Sequence, residues 1–254
     1  MTTVLYATAA VLGFAWGSFL NVVIHRLPHG KSVVRPRSFC PACERTIPWY
    51  ENIPVLSYVF LRGRCSGCGT RIPVRYVIVE LIGGGLGMFC IYRYGLSVEA
   101  AAAYVFLMAL LAITLIDWKH RIIPDEISLS FILVGLVWSF FNPAVTPVSS
   151  ALGAVVGGGS LYAVGALYKL ARHTEGMGGG DVKLMAMIGA FLGIGLVLPV
   201  IVIASFFGSI YGIALLRSGK GRRAAVAFGS FLAPAAAFCL LYGDAILGWY
   251  FGRF

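Results

Sequence analysis

Two aspartates stand where an apolar segment meets a polar loop, and their side chains are suited to acid–base chemistry. Asp117 ends the apolar run in ITLIDWKHRIIPD, and Asp181 begins another in GMGGGDVKLM. Ionisable groups at membrane depth are functional candidates because they are costly to place there. Two carboxylates brought together can share one proton, so that one activates water while the other protonates a substrate carbonyl, as in aspartic proteases. The two positions therefore predict an aspartate pair. The alternatives are a helix N-cap for Asp181 and an interfacial residue near Lys119 for Asp117.

The two acids differ in their predicted place on a helix. Asp181 begins a predicted helix, where the helix dipole favours the anion, whereas Asp117 ends one, where the dipole disfavours it. We therefore hypothesise that the resting proton lies mainly on Asp117 and that Asp181 is the base. Strong coupling would make the proton a property of the pair.

A glycine-rich segment precedes the second acid. Because glycine lacks a Cβ atom, we expect Gly178 to Gly180 to adopt backbone conformations that other residues resist, and to let a substrate strand come close. Gly178 and Gly180 are accordingly predicted to support the catalytic loop. A Gly180→Val substitution should then abolish activity without disrupting the fold.

Four of the six cysteines form a second candidate site. Cys40-x2-Cys43 and Cys65-x2-Cys68 are two knuckles whose four thiolates can converge on Zn²⁺. Disulfide pairs are the alternative, and a reducing compartment disfavours them. A site closed by four cysteines is structural rather than catalytic. Zinc is therefore expected to organise a loop with too little apolar mass to fold alone.

The elements that must position these residues are transmembrane helices. Apolar residues make up 59% of the 254 residues, whereas soluble domains have about 45–50%. We predict an all-α polytopic membrane protein with about eight transmembrane helices and a small zinc-binding cytosolic loop domain. Glycine pairs such as Gly13/Gly17 and Gly153/Gly157 are expected to let helices pack closely. The predicted spans are 4–24, 76–92, 98–116, 126–141, 148–168, 182–194, 196–216 and 228–250, with Gly193 and Gly195 as the only break in the apolar run 182–216.

The basic residues indicate how these helices are oriented. Of the 20 Lys and Arg residues, only Arg93 and Arg253 fall outside the odd-numbered loops. The positive-inside rule then places those loops, including the zinc loop, in the cytosol and both termini outside. Asp117 and Asp181 would lie at the cytosolic membrane face, at one depth on different helices. The net charge of +10 is thus mainly a topology signal, and we expect no nucleic-acid partner.

Neighbouring charged residues have structural interpretations. Asp125 opens the fourth predicted span and is expected to cap its helix or brace a loop. Lys119 and Lys183 each lie two residues after an aspartate, a spacing that does not put both side chains on one helix face. Both lysines are expected to reach lipid headgroups.

Several segments together resemble one known family over nearly the whole chain. They are GSFLNVVIHRLP at 17–28, the loop CPAC…ENIPVLSY…LRGRCSGCGTRIPVRY, IDWKHRIIPD at 116–125 and MGGGDVKL at 177–184. The family is the prepilin peptidases, the bacterial type IV leader peptidases, whose G-x-G-D signature corresponds to Gly178, Gly180 and Asp181. Its two catalytic aspartates then correspond to Asp117 and Asp181. Its zinc ligands correspond to Cys40, Cys43, Cys65 and Cys68.

The resemblance implies two activities at the bacterial inner membrane. One is cleavage of the basic leader from type IV prepilins and type II secretion pseudopilins at the cytosolic face. The other is methylation of the new N-terminus by S-adenosylmethionine. The expected domains are a first transmembrane helix at 1–24, a zinc-binding domain at 25–75 and a transmembrane aspartyl peptidase domain of about seven helices at 76–254.

The methyl-donor site carries no glycine-rich nucleotide motif. Polar residues near the first loop are the candidates for binding the donor: Asn21, Arg26 and Glu80. Glu80 can equally pair with Arg26 or Arg75 as a structural brace. Three alternatives to the double activity remain at this point: a peptidase without methyltransferase activity, a proton-coupled transporter using the same acids, and a zinc-knuckle scaffold without chemistry.

Overall fold

The computed structural model describes residues 2–174, 176–218 and 227–252, and within them it contains α-helices, short 3₁₀ turns and no sheet. The chain divides into two compact units, residues 1–108 and 109–254. Lys220, Arg222, Arg223 and Arg253, on which part of the predicted orientation rests, lie outside the described residues. The helices are α1 (Thr2–Arg26), α2 (Leu56–Phe60), α3 (Arg75–Tyr94), α4 (Val98–His120), α5 (Asp125–Trp138), α6 (Pro147–Arg172), α7 (Gly179–Leu192), α8 (Val197–Arg217) and α9 (Gly229–Phe251).

All eight predicted spans are helical, but the count of eight membrane crossings is not confirmed. Helices α5 and α7 have 14 residues each. At about 1.5 Å per residue each is about 21 Å long, which is shorter than the hydrocarbon core of about 30 Å. In the described part of the chain, six helical segments are long and apolar enough to cross a membrane: Thr2–His29, Arg75–Tyr94, Val98–His120, Pro147–Arg172, Ile194–Arg217 and Gly229–Trp249.

The apolar run 182–216 is interrupted at Gly193, as predicted. Gly193 ends α7 with a φ of 76°, a left-handed conformation that only glycine adopts at little cost. A 3₁₀ turn over Ile194–Leu196 then leads into α8. The run therefore forms two helices rather than one.

In the first unit, α1 packs directly on α3 through glycines. The backbones of Gly13 and Gly83 touch, so that a Cβ atom on either residue would overlap the other helix. A Cβ atom on Gly17 would lie only 2.7 Å from the Cα atom of Glu80. Close packing through small residues, as the glycine pairs predict, thus brings Glu80 against α1.

In the second unit, α7 is the central helix and packs against α5, α6 and α9. Nearly every side chain from Leu184 to Leu192 is buried, as expected for a helix that is apolar on all sides. The backbones of Gly153 and Gly189 touch where α6 crosses α7. The enclosure of α7 fixes its first turn, which carries Asp181.

Candidate active site and metal site

Asp117 lies near the end of α4 and binds the start of α9. Its side chain is only 4% exposed. Its Oδ2 atom accepts a hydrogen bond of 2.7 Å from the Ser230 N–H and one of 3.0 Å from the Ser230 hydroxyl. Ser230 belongs to the first turn of α9, whose N–H groups have no partner within the helix. The carboxylate of Asp117 therefore caps the N-terminus of α9.

Asp181 lies in the first turn of α7 without being its N-cap. The N-cap is Gly178, and Asp181 follows three positions later, so the alternative of an ordinary N-cap aspartate is wrong. The Asp181 carboxylate lies beside Gly178, with its Oδ2 atom 3.4 Å from where a Cβ atom on that residue would be. The nearby backbone N–H groups of Gly178 and Gly229 favour the ionised form of this carboxylate.

The two carboxylates approach Gly229, and Ile123 packs against Gly229 and Gly180 beside them. A Cβ atom on Gly229 would lie 3.0 Å from Asp117 Oδ2 and 2.7 Å from Ile123 Cδ1. A Cβ atom on Gly180 would lie 3.1 Å from Ile123 Cβ. Asp117 and Asp181 are also close enough to repel each other electrostatically. The end of α4 and the starts of α7 and α9 thus bring together the two acids that the sequence singled out.

The geometry does not support the prediction that helix dipoles place the resting proton on Asp117. Asp117 does end α4, but the N-terminus of α9 faces the same carboxylate and favours its anion. Both acids therefore lie at helix N-termini, Asp117 at that of α9 and Asp181 at that of α7, and the dipoles do not place the proton on Asp117. Sequence reasoning missed Ser230, although a serine at the start of an apolar run is a common signal for the beginning of a helix.

The prediction that the glycines before Asp181 adopt backbone conformations that other residues resist is wrong. Gly178 is an extended N-cap with φ −72°, while Gly179 and Gly180 already belong to α7. None of the three has a left-handed φ. A glycine at position 180 instead leaves space for Ile123, which packs against it.

An ion pair braces the first turn of α7. Lys183 Nζ lies 2.8 and 2.7 Å from the two carboxylate oxygens of Asp125, the first residue of α5. The expectation that Asp125 caps its helix or braces a loop is wrong, because the N-cap is Pro124 and the carboxylate instead joins α5 to α7 through Lys183. The expectation that Lys183 reaches lipid headgroups is wrong, because its ammonium binds a carboxylate from the neighbouring helix.

The four cysteines of the first loop converge as the knuckle spacing predicts. Their sulfur atoms all lie within 4.8 Å of one another. The Cys40–Cys68 and Cys43–Cys65 sulfur pairs are 3.8 and 4.0 Å apart. Four sulfurs at about 2.3 Å from a tetrahedral ion are about 3.8 Å apart. These distances exclude disulfides, whose sulfurs are about 2.05 Å apart, and they fit a metal ion.

The two knuckles repeat the same backbone hydrogen bonds. The Cys40 N–H donates to the Arg45 carbonyl over 3.0 Å, and the Cys65 N–H donates to the Thr70 carbonyl over 2.9 Å. Between the knuckles, Glu51 accepts hydrogen bonds from Arg45 over 3.1 Å and from the Ser66 hydroxyl over 2.7 Å. A side-chain bridge thus joins the two halves of the cluster.

The electrostatics of the cluster favour a cation. Backbone N–H groups of Ala42 and Cys43 hold the pKa of the Cys40 thiol below its ordinary value. Thr70, through its hydroxyl and backbone, lowers the pKa of Cys68 to about 6. The pKa of Cys43 rises to about 11 despite the Arg45 N–H, because desolvation and the neighbouring sulfurs disfavour another thiolate. A bound cation would relieve that repulsion, because thiolates are the form that binds metal.

The polar residues considered for the methyl donor lie in the first unit and have separate partners. Arg26 donates to the backbone carbonyls of Ser32 and Arg37 over 3.2 and 3.3 Å. Asn21 donates to the Tyr76 carbonyl over 2.9 Å.

Glu80 braces the loop, although not through the predicted partners. Its Oε2 atom accepts a 2.7 Å hydrogen bond from the Val55 N–H. The carbonyl partners of Arg26 and the stacking of Arg75 on the Tyr76 ring show that neither arginine takes the predicted pairing.

Comparison with known proteins assigns both parts of the chain to one family. Residues 11–94 match the model of the bacterial peptidase A24 N-terminal domain, and residues 104–213 match that of the type IV leader peptidase family. No solved structure matches.

Curated relatives from several bacteria cover nearly the full chain. A protein of Pseudomonas putida is 40% identical over 94% of this chain and 91% of its own length. A protein of Stutzerimonas stutzeri is 38% identical over 95% and 92%, and one of Neisseria gonorrhoeae is 36% identical over 94% and 91%. All three are named prepilin leader peptidase/N-methyltransferase. The chain belongs to the type IV leader peptidase family.

Proposed function

We propose that this protein cleaves the leader peptide from type IV prepilins and type II secretion pseudopilins and then methylates the new N-terminus. The names of its relatives support both activities. The observation that carries the peptidase half is the meeting of Asp117 and Asp181 between α4, α7 and α9. An enclosed carboxylate pair is the machinery of aspartic peptide hydrolysis.

The cleavage step uses one proton held by the pair. The ionised carboxylate takes a proton from water, whose oxygen attacks the scissile carbonyl carbon, while the protonated carboxylic acid donates to the carbonyl oxygen. The tetrahedral intermediate then collapses, the C–N bond breaks and the leaving amine receives a proton. The two hydrogen bonds from Ser230 hold the Asp117 carboxylate in one orientation throughout.

The site is proposed to face the cytosol at the bacterial inner membrane, in contact with lipid. The basic loops support this orientation, and it suits a substrate with a basic leader followed by an apolar helix. The substrate backbone must unwind near the scissile bond, because a hydrogen-bonded peptide in lipid is shielded from attack.

The four-cysteine cluster is proposed to hold Zn²⁺ in a structural role. Two sulfur pairs at 3.8 and 4.0 Å match the edges of a tetrahedral site. With all four positions filled by Cys40, Cys43, Cys65 and Cys68, no position is open for substrate. The ion would stabilise the loop between α1 and α3.

The methyl transfer requires a donor site separate from the carboxylates. The unprotonated N-terminal amine would attack the methyl carbon that S-adenosylmethionine supplies. The C–S bond breaks, S-adenosylhomocysteine leaves and the amine loses a proton. Arg26 is the cationic candidate for binding the donor carboxylate, and Asn21 and Glu80 are the other candidates in the first unit.

The proposal is tested with purified full-length protein, a synthetic prepilin and S-adenosylmethionine, followed by mass spectrometry of the products. Wild type is expected to release the leader and to add one methyl group to the mature chain. Asp117→Asn and Asp181→Asn should each fail to cleave, yet both should methylate a pre-cleaved substrate.

Other outcomes identify the alternatives. Cleavage without any methylation by wild type would favour a peptidase alone. Normal cleavage by either variant would refute the aspartate mechanism. Proton uptake into vesicles that depends on both acids, without cleavage, would favour the transporter.

A further inference from the structure

A cleft of about 350 Å³ lies in the first unit, between α1 and the loop that follows it. Its α1 wall includes one stripe of the helix, formed by Ala15, Phe19, Val22 and Arg26. Because these positions are three or four residues apart, they share one helix face, over a length of about 16 Å. The stripe is apolar up to its last member, Arg26. The loop residues used below are Arg37, Asn52 and Pro54.

Two arginines give this cleft a positive charge. Arg26 is the last residue of α1 and is only 8% exposed. Its guanidinium donates to the backbone carbonyls of Ser32 and Arg37 over 3.2 and 3.3 Å. The second of these bonds brings the Arg37 backbone to Arg26, and Arg37 also lines the cleft. A guanidinium has five N–H donors, so Arg26 has three left for a ligand.

Among the described residues no carboxylate neutralises the two arginines, and none lines the cleft. Two acids from the same unit have other partners. Glu51 binds Arg45 and Ser66, and Glu80 binds the backbone of the loop. Since a buried charge is costly unless it is paired, the cleft favours an anionic ligand.

A strained segment, residues 52–55, forms part of the loop wall. Val55 has a φ of 62°, a positive value that is rare for a β-branched residue. The Glu80 carboxylate holds this backbone by accepting a hydrogen bond from the Val55 N–H over 2.7 Å. Asn52 and Pro54 line the cleft, so Glu80 fixes the shape of this wall. Strain of this kind persists where the surroundings impose it, often at ligand sites.

We propose that this cleft binds an anionic phospholipid, with its phosphate group on the guanidiniums of Arg26 and Arg37. Arginine suits phosphate because its planar fork can donate two parallel hydrogen bonds. The arginines alone would accept any phosphate. The apolar stripe of Val22, Phe19 and Ala15, which continues from Arg26, assigns the site to a molecule with an anionic head and an apolar chain. The lipid would then join the loop to α1.

The position of the cleft suits a lipid of the cytoplasmic leaflet. Helix α1 belongs to a segment that is long and apolar enough to cross a membrane, and Arg26 ends it on the side where the basic loops are proposed to lie. Anionic lipids of that leaflet attract basic segments, and basic pockets beside membrane helices bind phospholipid headgroups. The inference rests on the proposed cytosolic orientation of the loop.

The methyl donor fits this cleft less well, although Arg26 is a candidate for binding its carboxylate. S-adenosylmethionine carries a sulfonium and an ammonium group beside that single carboxylate, so its net charge is positive. Two arginines without a lining carboxylate would repel it. Of the two ligands considered for Arg26, the charges therefore favour the phospholipid.

The test measures lipid binding to purified full-length protein in a non-ionic detergent, so its outcome does not depend on which side of the membrane the loop lies. Phosphatidylglycerol and phosphatidylcholine with the same acyl chains are titrated separately, and bound lipid is counted by native mass spectrometry. Anionic phosphatidylglycerol should bind at least tenfold more tightly than zwitterionic phosphatidylcholine. Inorganic phosphate and glycerol phosphate, which lack acyl chains, should displace it only at concentrations at least tenfold above that of the lipid.

A matched pair of variants tests the arginine. Arg37→Gln removes one charge from an exposed residue of the cleft and should weaken phosphatidylglycerol binding at least tenfold. Arg35→Gln removes the same charge from an exposed residue of the same loop that does not line the cleft, and it should change the affinity less than threefold. Zinc content and the unfolding midpoint show whether each variant is folded.

A second pair keeps the test decisive if Arg37→Gln fails to fold. Phe19→Ala shortens the apolar stripe and should weaken phosphatidylglycerol binding at least fivefold. Leu12→Ala, at an exposed position of α1 outside the cleft, should change the affinity less than twofold.

Four results would overturn the assignment. Equal affinity for the two lipids would mean that the cleft does not select an anion. Equal losses in Arg37→Gln and Arg35→Gln would mean that lipid is attracted by the basic loop in general. Displacement of the lipid by an equal concentration of inorganic phosphate or glycerol phosphate would make the cleft a site for free phosphate. Displacement by S-adenosylmethionine would return it to the methyl donor.

Discussion

Replacement of Gly229 with alanine is expected to slow prepilin cleavage by about 10- to 100-fold while the protein stays folded. Gly229 is the first residue of α9 and lies close to both catalytic candidates, Asp117 and Asp181. The added Cβ atom would lie 3.0 Å from Asp117 Oδ2 and 2.7 Å from Ile123 Cδ1. The contact between the added Cβ atom and Asp117 Oδ2 would be about 0.5 Å shorter than an ordinary van der Waals contact. The Asp117 carboxylate must therefore move or rotate.

The size of the effect follows from the bonds that hold Asp117. Its Oδ2 atom accepts two hydrogen bonds from Ser230, at 2.7 and 3.0 Å. A hydrogen bond to a charged group contributes about 1.5–3 kcal/mol. Weakening one of them while the carboxylate is displaced corresponds to a rise in the barrier of about 1.4–2.7 kcal/mol, which is the 10- to 100-fold loss.

The assay is single-turnover cleavage by purified protein, with the midpoint of thermal unfolding measured alongside. Gly179→Ala is the control, because a Cβ atom on Gly179 has no neighbour within 4 Å; its rate should remain within twofold of wild type. Adding Ile123→Val removes the Cδ1 contact but leaves the one to Asp117. The double variant should therefore stay slow. A folded Gly229→Ala protein that cleaves at the wild-type rate would refute the reasoning, and rescue by Ile123→Val would trace the loss to Ile123 rather than to Asp117.

Three further predictions address the loop, the strained segment and the ion pair. Removing metal with a chelator should make the loop between α1 and α3 sensitive to protease, and Zn²⁺ but not Mg²⁺ should restore protection; a loop that stays protected without metal would contradict the structural role. Glu80→Ala should leave the Val55 N–H without its acceptor and make the loop between α1 and α3 more sensitive to protease, whereas Glu80→Gln, whose amide oxygen can still accept the N–H, should keep most of the protection; equal sensitivity in both variants would argue against the bracing role. Lys183→Met should lower the free energy of unfolding by less than about 1 kcal/mol in denaturant titrations, because the side chains of Lys183 and Asp125 are 41% and 53% exposed; a larger loss would mean that the pair does more than brace α5 against α7.

The sequence was most informative where residue type and spacing directly constrain the geometry. Two Cys-x-x-Cys knuckles predict that four sulfurs converge on one point, with disulfide pairs as the alternative, and the four sulfurs do converge. The position of Asp117 at the end of one apolar segment and of Asp181 at the start of another likewise anticipated their approach. The cysteines are brought together by the local structure of one loop, whereas the aspartates meet because α4, α7 and α9 pack so that the helix ends carrying them lie together.

The sequence was least informative about contacts between distant segments. Ser230 lies 113 positions after Asp117 in the sequence and donates a hydrogen bond to it. No local sequence pattern predicts that partner. Glu80 binds the backbone N–H of Val55 rather than a charged side chain. Because nearly every residue has a backbone N–H and carbonyl, residue types do not predict such a partner. The predicted count of eight crossings is likewise not confirmed, because α5 and α7 have only 14 residues each and α7 is apolar for burial inside the helical unit.

The central claim is that Asp117 and Asp181 act as one catalytic unit, and a double-mutant cycle tests it most directly. Single-turnover cleavage is measured for Asp117→Asn, Asp181→Asn and the double variant, with zinc content and unfolding midpoint confirming that each is folded. Each single variant should be slower by at least about 1,000-fold, and the double variant should be little slower than either, because residues that act together lose their function together. A single variant that retains more than about a tenth of the wild-type rate would contradict the claim.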